Sequence, residues 1–290
     1  MNALGIYFGP KTINITETKG KKLINNIQIP LFEVLGSGLE EKVPFEVKAV
    51  ALLNDAFRMN KIEVKEANLC LSGKDLIIRT FEMPLMPKEE LQSAISFEAK
   101  KYIPFKLEDL ITDYQIEIDN LSHTNIVLFV GIKEETFNLY VSIFKQLNIK
   151  VNQIEYSGFS ILRALKLGQA NESGVTGLLC FDLESEDEIN FMVLENGFPL
   201  FTRDINLTAG TEGLEKPEKL DSGAALEKLK SEVRVSMDYF HRKFPGKAIQ
   251  KITVISGDEQ RSSLETFMSE LAISCKFLNI VKAKFGREKG

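Results

Sequence analysis

One arrangement of three consecutive strands occurs twice in the sequence, and it restricts the possible folds more than any other feature. Through residues 3–29 apolar side chains alternate with polar ones, with a break at Gly9. Such alternation, interrupted by turn residues, is typical of half-buried strands. The second copy covers residues 177–205 and contains Asn196 followed by Gly197, the strongest short signal for a hairpin turn. A repeat of this kind predicts an α/β fold of two related lobes.

Helices and further strands follow each copy of the repeat. Segments with apolar residues at helical spacing alternate with short apolar runs that end in turn residues. These patterns predict helices at 45–59, 87–103, 134–147, 159–167, 224–244 and 262–271, and strands at 67–71, 76–82, 111–118, 125–131, 151–156, 249–255 and 274–278. We therefore expect a first lobe whose core is formed by residues 1–75 and 151–175. Residues 76–150 form an inserted unit, and residues 176–290 form the second lobe.

The segment Phe81–Gln115 carries the clearest helix signals. Pro87 is suited to the first helical position, where its missing N–H would have no partner. Glu89 and Glu90 follow in the first turn, where the helix dipole favours negative charge. Helical spacing places a mainly apolar set of residues on one face: Leu91, Ala94, Ile95, Glu98, Ala99 and Tyr102. Phe97 lies off this face; we interpret it as packed by a neighbouring element, with a partner contact as the alternative.

Composition excludes several classes of function. The formal net charge is −5 and there is no block of Lys or Arg, so nucleic acid is not expected as a partner. No run of about 18 apolar residues exists, so no membrane span is expected. Cys70, Cys180 and Cys275 lie far apart in apolar runs, which is typical of buried reduced thiols. With two histidines and no CxxC pair, a metal site is not expected.

Four segments carry a family resemblance. The most specific is MPKEELQSAISFEAKKYIPFKLEDLITDYQ at 86–115. Weaker ones are SGFSILRAL at 157–165, NGFPLFTRDI at 196–205 and SEVRVSMDYF at 231–240. Together they resemble the PilM family, the cytoplasmic actin-like proteins of type IV pilus assembly, which is related to FtsA and to the cytoplasmic part of GspL. The resemblance covers most of the chain. It implies a two-lobed actin-like fold with a duplicated RNase H-like core, in which residues 76–150 correspond to the inserted subdomain 1C.

The resemblance also implies a location and partners. Family members lie at the inner face of the membrane and bind the short cytoplasmic N-terminal tail of a membrane-spanning partner, PilN. We expect a PilN-like tail, together with other pilus or type II secretion platform proteins, to bind this chain. In the 1C region we select Phe81, Met83, Phe97 and Tyr102 as partner-binding residues. Self-association through 1C, as in an FtsA-like filament, is the alternative.

The resemblance implies three nucleotide motifs, and the first departs from the family pattern. Family members usually read G-I-D-I-G-S-S, whereas residues 5–11 read GIYFGPK. Tyr7 replaces the aspartate that positions the metal, and a phenol cannot orient magnesium-bound water as a carboxylate does. Gly9 is retained, but Pro10 removes a backbone N–H from a loop that offers such groups to phosphate. We interpret Lys11 as a solvated turn lysine, with a phosphate ligand as the alternative.

The other two motifs depart as well. The second loop keeps Asp182 but has Glu184 in place of the glycine that allows close phosphate approach, and further acids follow it. Each carboxylate a few ångströms from a triphosphate would cost about 1–4 kcal/mol. The adenosine motif, usually a serine and two or three glycines, keeps Gly257 as its one glycine. Only Asn206–Gly223 remains for subdomain 2B, which walls the adenine pocket in the family, so 2B is predicted to be reduced or absent.

These departures predict a pseudo-ATPase. We expect no catalytic residue, no metal ion and no cofactor, and the sequence contains no other catalytic signature such as G-x-S-x-G or H-E-x-x-H. Binding of ATP and magnesium would need rearranged loops, for instance with Asp187 or Glu188 as a metal ligand. The expected function is a non-catalytic scaffold of a type IV pilus or type II secretion-like platform. A slowly hydrolysing ATP-binding protein is the alternative.

Overall fold

The structure is a computed structural model, which describes residues 2–20, 22–31, 43–120, 122–167, 173–180, 189–207, 222–256, 261–271 and 273–278. Its strands are β1 (Asn2–Phe8), β2 (Thr12–Lys19), β3 (Lys22–Pro30), β4 (Glu66–Leu71), β5 (Leu76–Pro84), β6 (Leu110–Asp119), β7 (Thr124–Lys133), β8 (Lys150–Tyr156), β9 (Val175–Cys180), β10 (Ile189–Glu195), β11 (Phe198–Ile205), β12 (Lys251–Ile255) and β13 (Ser274–Leu278). Its helices are α1 (Phe45–Met59), α2 (Lys88–Ala99), α3 (Glu134–Gln146), α4 (Ser157–Leu167), α5 (Ser222–Lys243) and α6 (Arg261–Ser269). Among these described helices, none is both long and apolar enough to cross a membrane.

The chain divides into two compact units. The first comprises Met1–Arg79, Met83–Ile116 and Asn120–Ser160. The second comprises Thr80–Glu82, Glu117–Asp119 and Ile161–Gly290. The short segments at 80–82 and 117–119 therefore group with the second unit, although the strands that contain them group mainly with the first.

The first unit is built on a five-stranded sheet of order β3-β2-β1-β4-β8. Strands β1, β2 and β3 form an antiparallel meander, whereas β1, β4 and β8 run parallel. Alternate residues of β1 are buried, namely Leu4, Ile6 and Phe8. This is the period of a strand with one face on a core. Buried residues of α1 and α3 complete the same core, and the two helices pack against each other.

Helix α3 belongs to this first core. Ile143 and Phe144 are fully buried in it, and the Phe144 ring lies edge-on to Phe8 with their centroids 6.0 Å apart. The Tyr140 ring makes the same kind of contact with Phe8 at 5.0 Å. The sequence-based division grouped this helix with the inserted unit at 76–150, and the packing differs from that grouping. The reason is that the apolar face of a helix indicates that it packs, but not which sheet it packs on.

The second unit is built on a five-stranded sheet of order β11-β10-β9-β12-β13, which repeats the first sheet strand for strand. Strands β9, β10 and β11 form an antiparallel meander, and β9, β12 and β13 run parallel. The predicted duplication is therefore confirmed. Asn196 and Gly197 form the β10–β11 turn with φ of 51° and 82°, the left-handed conformation that these two residue types tolerate. At Gly177 of β9 an added Cβ would lie 2.9 Å from Cγ1 of Ile252 on β12, so a larger residue would displace Ile252.

A smaller sheet of order β5-β7-β6 follows β4 in the chain, and β6 forms one of its edges. Helix α2 connects β5 to β6. Pro87 is its N-cap, with φ −57° and ψ 147°, so the helix begins one residue later than predicted. Its first turn contains Glu89 and Glu90, as expected. Ile95 and Ala99 are buried, which confirms the centre of the predicted apolar face.

The contact between Tyr140 and Asp75 predicts a pH dependence of stability. The Tyr140 hydroxyl donates to Oδ2 of Asp75 at 2.8 Å. Burial, and then the Asp75 charge and this hydrogen bond, raise the pKa of Tyr140 above its ordinary value. Because the folded state holds this proton more tightly than the unfolded state, the stabilisation is complete below pH about 10 and is lost as the pH rises further.

We therefore expect the free energy of unfolding to fall above pH about 10, with Tyr140 contributing a slope of up to about 1.4 kcal/mol per pH unit. Tyr140→Phe should be less stable at neutral pH by about 1–3 kcal/mol, because a hydrogen bond to a carboxylate is lost. Above pH about 10 the difference between the two proteins should shrink. Urea unfolding across this range measures it, and a constant difference would contradict the assignment.

Candidate functional site: nucleotide loops and a partner surface

The first predicted nucleotide loop is a closed turn between β1 and β2. The N–H of Gly9 donates to the carbonyl of Thr12 at 2.8 Å, and Gly9 is buried. The carbonyl of Lys11 accepts from the N–H of Leu31 at 2.7 Å. Pro10 has no N–H to offer. A phosphate-binding loop presents main-chain N–H groups at these positions. Here the N–H of Gly9 is bonded within the turn, and Pro10 has none.

Tyr7 lies on β1 between two paired strands. In the register of the first sheet it stands opposite Asn14 on β2 and Cys70 on β4. Its side chain and that of Lys11 are half-buried. A phenol at this position presents no carboxylate for magnesium-bound water. The arrangement of this loop is therefore that of a packed hairpin end.

The other predicted nucleotide residues fall outside the described part of the chain. Asp182 and Glu184, with the alternative metal ligands Asp187 and Glu188, lie in residues 181–188, and Gly257 lies in residues 257–260. Residues 208–221 of the segment assigned to a reduced 2B also lie outside the described part of the chain. Among the residues that the structure describes, no three His, Cys, Asp or Glu side chains are grouped so that they could hold a metal ion.

Exposed aromatic side chains occur at the C-terminal part of α2 and directly after it. Phe97 is 70% exposed, and Tyr102 and Phe105 are 41% and 42% exposed. We call these three residues the α2 surface. Lysines lie over two of the rings: Nζ of Lys101 is 5.8 Å from the centroid of Phe97, and Nζ of Lys133 is 4.7 Å from that of Phe105. Each lysine is also paired with a carboxylate, Lys101 with Glu98 at 2.7 Å and Lys133 with Glu135 at 3.6 Å. Exposed aromatic rings of this kind can bind an apolar side chain.

Two of the four residues selected as partner-binding do not belong to this surface. Phe81 and Met83 on β5 were selected as partner-binding residues, but they are only 2% and 5% exposed and lie in the core, where a partner cannot reach them. Their spacing of two residues around the exposed Glu82 is the alternation of a strand with one buried face, and this signal could have identified them as core.

Phe97 is more exposed than predicted. The interpretation that a neighbouring element packs it is wrong, because most of its side chain is exposed. Phe105 was not selected from the sequence. It follows Pro104, beyond the helix, so helical spacing assigns it to no face. Only the folded chain reveals that its ring is accessible.

A charge cluster in the second unit has a structural explanation. Nζ of Lys247 donates to Oδ2 of Asp119 at 3.0 Å and to the two carboxylate oxygens of Glu195 at 2.8 and 2.7 Å. Burial disfavours the charged lysine, but its hydrogen bonds to the two carboxylates leave the pKa of Lys247 above its ordinary value. A cation engaged in this way neutralises its neighbours, and we assign it no role toward phosphate.

Comparison with known proteins identifies a matching protein family and similar solved structures. The family model for type IV pilus assembly protein PilM matches residues 5–213, more than half of the chain. A solved PilM–PilN type IV pilus biogenesis complex contains a similar chain, with 18% identity, coverage of 97% of this chain and 89% of that chain, and a TM-score of 0.74. The cytoplasmic domain of EpsL, an inner membrane component of the type II secretion system of Vibrio cholerae, is similar with 11% identity, coverage of 89% and 83%, and a TM-score of 0.55. With the duplicated sheet order, these likenesses confirm the predicted actin-like α/β fold.

Proposed function

This chain belongs to the PilM family of type IV pilus assembly proteins, and we propose that within this family it acts as a non-catalytic scaffold. In this role it lies in the cytoplasm, is held at the inner membrane through its partners, and binds the short N-terminal tail of a PilN-like membrane protein. The observation that carries the proposal is the exposed α2 surface. It occurs on a chain whose fold is shared with a protein solved as a PilM–PilN complex.

The α2 surface has the composition of a peptide-binding anchor. Its three aromatic side chains are exposed, one on α2 and two in the residues directly after it, so ring surface is accessible to an incoming apolar side chain. Aromatic side chains are enriched among the few interface residues that dominate binding energy. Lys101 and Lys133 lie beside two of the rings but are already paired, Lys101 with Glu98 at 2.7 Å and Lys133 with Glu135 at 3.6 Å. The surface therefore offers the tail aromatic contacts, and not uncompensated positive charge. A short tail with one or two apolar anchors fits this surface.

The first nucleotide loop supports the non-catalytic part of the proposal. Gly9 uses its N–H within the turn, Pro10 has none, and Tyr7 stands where a carboxylate would position the metal. In the sequence, Glu184, Glu186 and Glu188 fall in the segment that the family resemblance assigns to the second phosphate loop, where they would add like charge. At about 1–4 kcal/mol each, several such carboxylates would offset the affinity of a typical nucleotide.

Isothermal titration calorimetry of the whole chain tests this function. The ligand is a synthetic peptide with the sequence of the N-terminal tail of the PilN-like protein from the same organism, and a scrambled peptide is the control. We expect the tail to bind with a Kd of about 1–100 μM. We expect ATP with magnesium to give no measurable heat and to leave the tail affinity unchanged.

Two results would contradict the proposal separately. Absence of binding to the tail would refute the proposal that a PilN-like protein is the partner. A Kd for ATP and magnesium below about 1 mM would refute the non-catalytic role and favour an ATP-binding protein that cycles between states. Sedimentation across a range of concentrations distinguishes the FtsA-like alternative, because head-to-tail assembly forms open filaments that grow with concentration.

A further inference from the structure

Strand β6 is exposed on both of its faces. Its five consecutive residues from Ile111 to Gln115 are all exposed, including the large side chains of Ile111 and Tyr114, which are each 39% exposed. Strand β7 is its one neighbour in the sheet among the described strands. A strand at such an edge presents a row of main-chain N–H and C=O groups that can pair with another extended chain.

One main-chain N–H group of β6 has a hydrogen-bond acceptor within its own strand. The N–H of Tyr114 donates to Oδ1 of Asp113, the preceding residue, at 2.8 Å. A strand N–H normally donates to a carbonyl of the neighbouring strand. Because this N–H is directed at a side-chain oxygen of its own strand, we infer that it points to the open edge, where the Asp113 carboxylate caps it.

The charge of β6 determines what kind of strand can pair with it. Asp113 and Glu117 lie on one face, because they are an even number of residues apart, and the strand Leu110–Asp119 contains no Lys or Arg. Pairing with β6 of a second copy would bring Asp113 and Glu117 from each chain onto one face, and neither strand would supply a Lys or Arg to them. Like charges in cross-strand positions are destabilising, whereas opposite charges are favourable.

We propose that β6 is a docking edge for an extended peptide segment with alternating basic and apolar side chains, contributed by another protein. The segment adds as a strand beside β6. Its N–H and C=O groups pair with the open edge, its basic side chains lie against Asp113 and Glu117, and the carboxylate of Asp113 releases the N–H of Tyr114. This recognition mode is β-strand addition, in which main-chain hydrogen bonds supply affinity and alternate side chains supply specificity. It is separate from tail binding at the α2 surface.

The test uses the full chain and a fluorescein-labelled octapeptide of alternating lysine and valine, acetylated and amidated at its ends. One control peptide carries glutamate in place of lysine. A second keeps all side chains but has N-methyl groups on alternate amides along one edge, which removes the donors needed for strand pairing. We expect the lysine peptide to bind, the glutamate peptide not to bind, and N-methylation to weaken binding at least about tenfold.

A pair of variants isolates the main-chain N–H on the protein side. Tyr114→Ala removes the ring and keeps the N–H, whereas Tyr114→Pro removes both, and proline is tolerated where an edge N–H faces solvent. We expect Tyr114→Pro to bind the lysine peptide about tenfold more weakly than Tyr114→Ala, with circular dichroism showing both folded. In the wild type, NMR hydrogen exchange at the Tyr114 amide should slow when the peptide is added.

Three results would overturn the proposal. The N-methylated peptide could bind as tightly as its parent, which would reduce the interaction to charge alone. Both Tyr114 variants could bind equally, which would remove the edge from the interaction; if Tyr114→Pro fails to fold, the N-methylated peptide still decides the question. Sedimentation could reveal a wild-type dimer that Tyr114→Pro abolishes, which would assign the edge to a second copy of the chain.

Discussion

We expect Phe144→Ala to lower the free energy of unfolding by about 3–5 kcal/mol, the largest stability effect predicted for a single substitution in this chain. Phe144 is fully buried, and its ring contacts Phe8 at a centroid distance of 6.0 Å. Alanine removes the transfer free energy of the ring and leaves a cavity between α3 and the first sheet, because close-packed surroundings relax only in part. The loss should appear in urea unfolding followed by far-UV circular dichroism.

Phe137→Ala is the matched control for this substitution. Phe137 lies on the same helix but is only partly buried against the same core. Its loss should therefore be smaller, about 1–2 kcal/mol. Hydrogen exchange locates the effect: Phe144→Ala should reduce protection of the β1 and β4 amides, since α3 packs on the core that contains them. Unchanged protection there, with reduced protection in β5 and β7, would instead support grouping α3 with the inserted unit.

Local structure was predictable from the sequence where Gly, Pro or Asn marks the start or end of a helix or strand. The helix Phe45–Met59, preceded by Pro44, has the predicted bounds. The strand Phe198–Ile205 follows Asn196-Gly197 and ends at residue 205, where the second copy of the repeat was predicted to end. These residues act through their own allowed backbone angles, and no tertiary contact is needed to interpret them. The duplication of the two sheets was predictable for the same reason, since each copy of the meander carries its own turns.

Tertiary placement was not predictable in the same way. The spacing of buried residues on α3 indicates one apolar face, but the first sheet and the smaller sheet both offer apolar partners. Phe81 and Phe97 have the same side chain, yet one is buried and the other exposed, because the strand face of Phe81 is covered and the helix face of Phe97 is not. The hydrogen bond from Tyr140 to Asp75 joins residues far apart in sequence, and no local pattern indicates it.

We expect Phe97→Ala to weaken binding of the PilN-like tail by about 10–30-fold while leaving the fold intact. This expectation rests on the proposed scaffold function. The ring is 70% exposed and contributes little to the core, so the free energy of unfolding should change by no more than about 0.5 kcal/mol. If the ring is an anchor of the interface, its truncation removes about 1.4–2 kcal/mol of binding free energy, which corresponds to the stated range. Calorimetry with the tail peptide measures the affinity.

Met59→Ala is the matched control, because Met59 is 73% exposed but lies at the end of α1, away from the α2 surface in sequence and on a different helix. Its truncation should leave the tail affinity unchanged. Equal losses in both variants would mean that the tail binds exposed apolar groups without selecting α2. If Phe97→Ala keeps full stability and full affinity while the wild type binds the tail, the tail binds outside the α2 surface. That result would not contradict the scaffold function. Phe97→Tyr should retain most of the affinity, since it keeps the ring that packs against the tail, and this rescue separates an aromatic anchor from a merely permissive position.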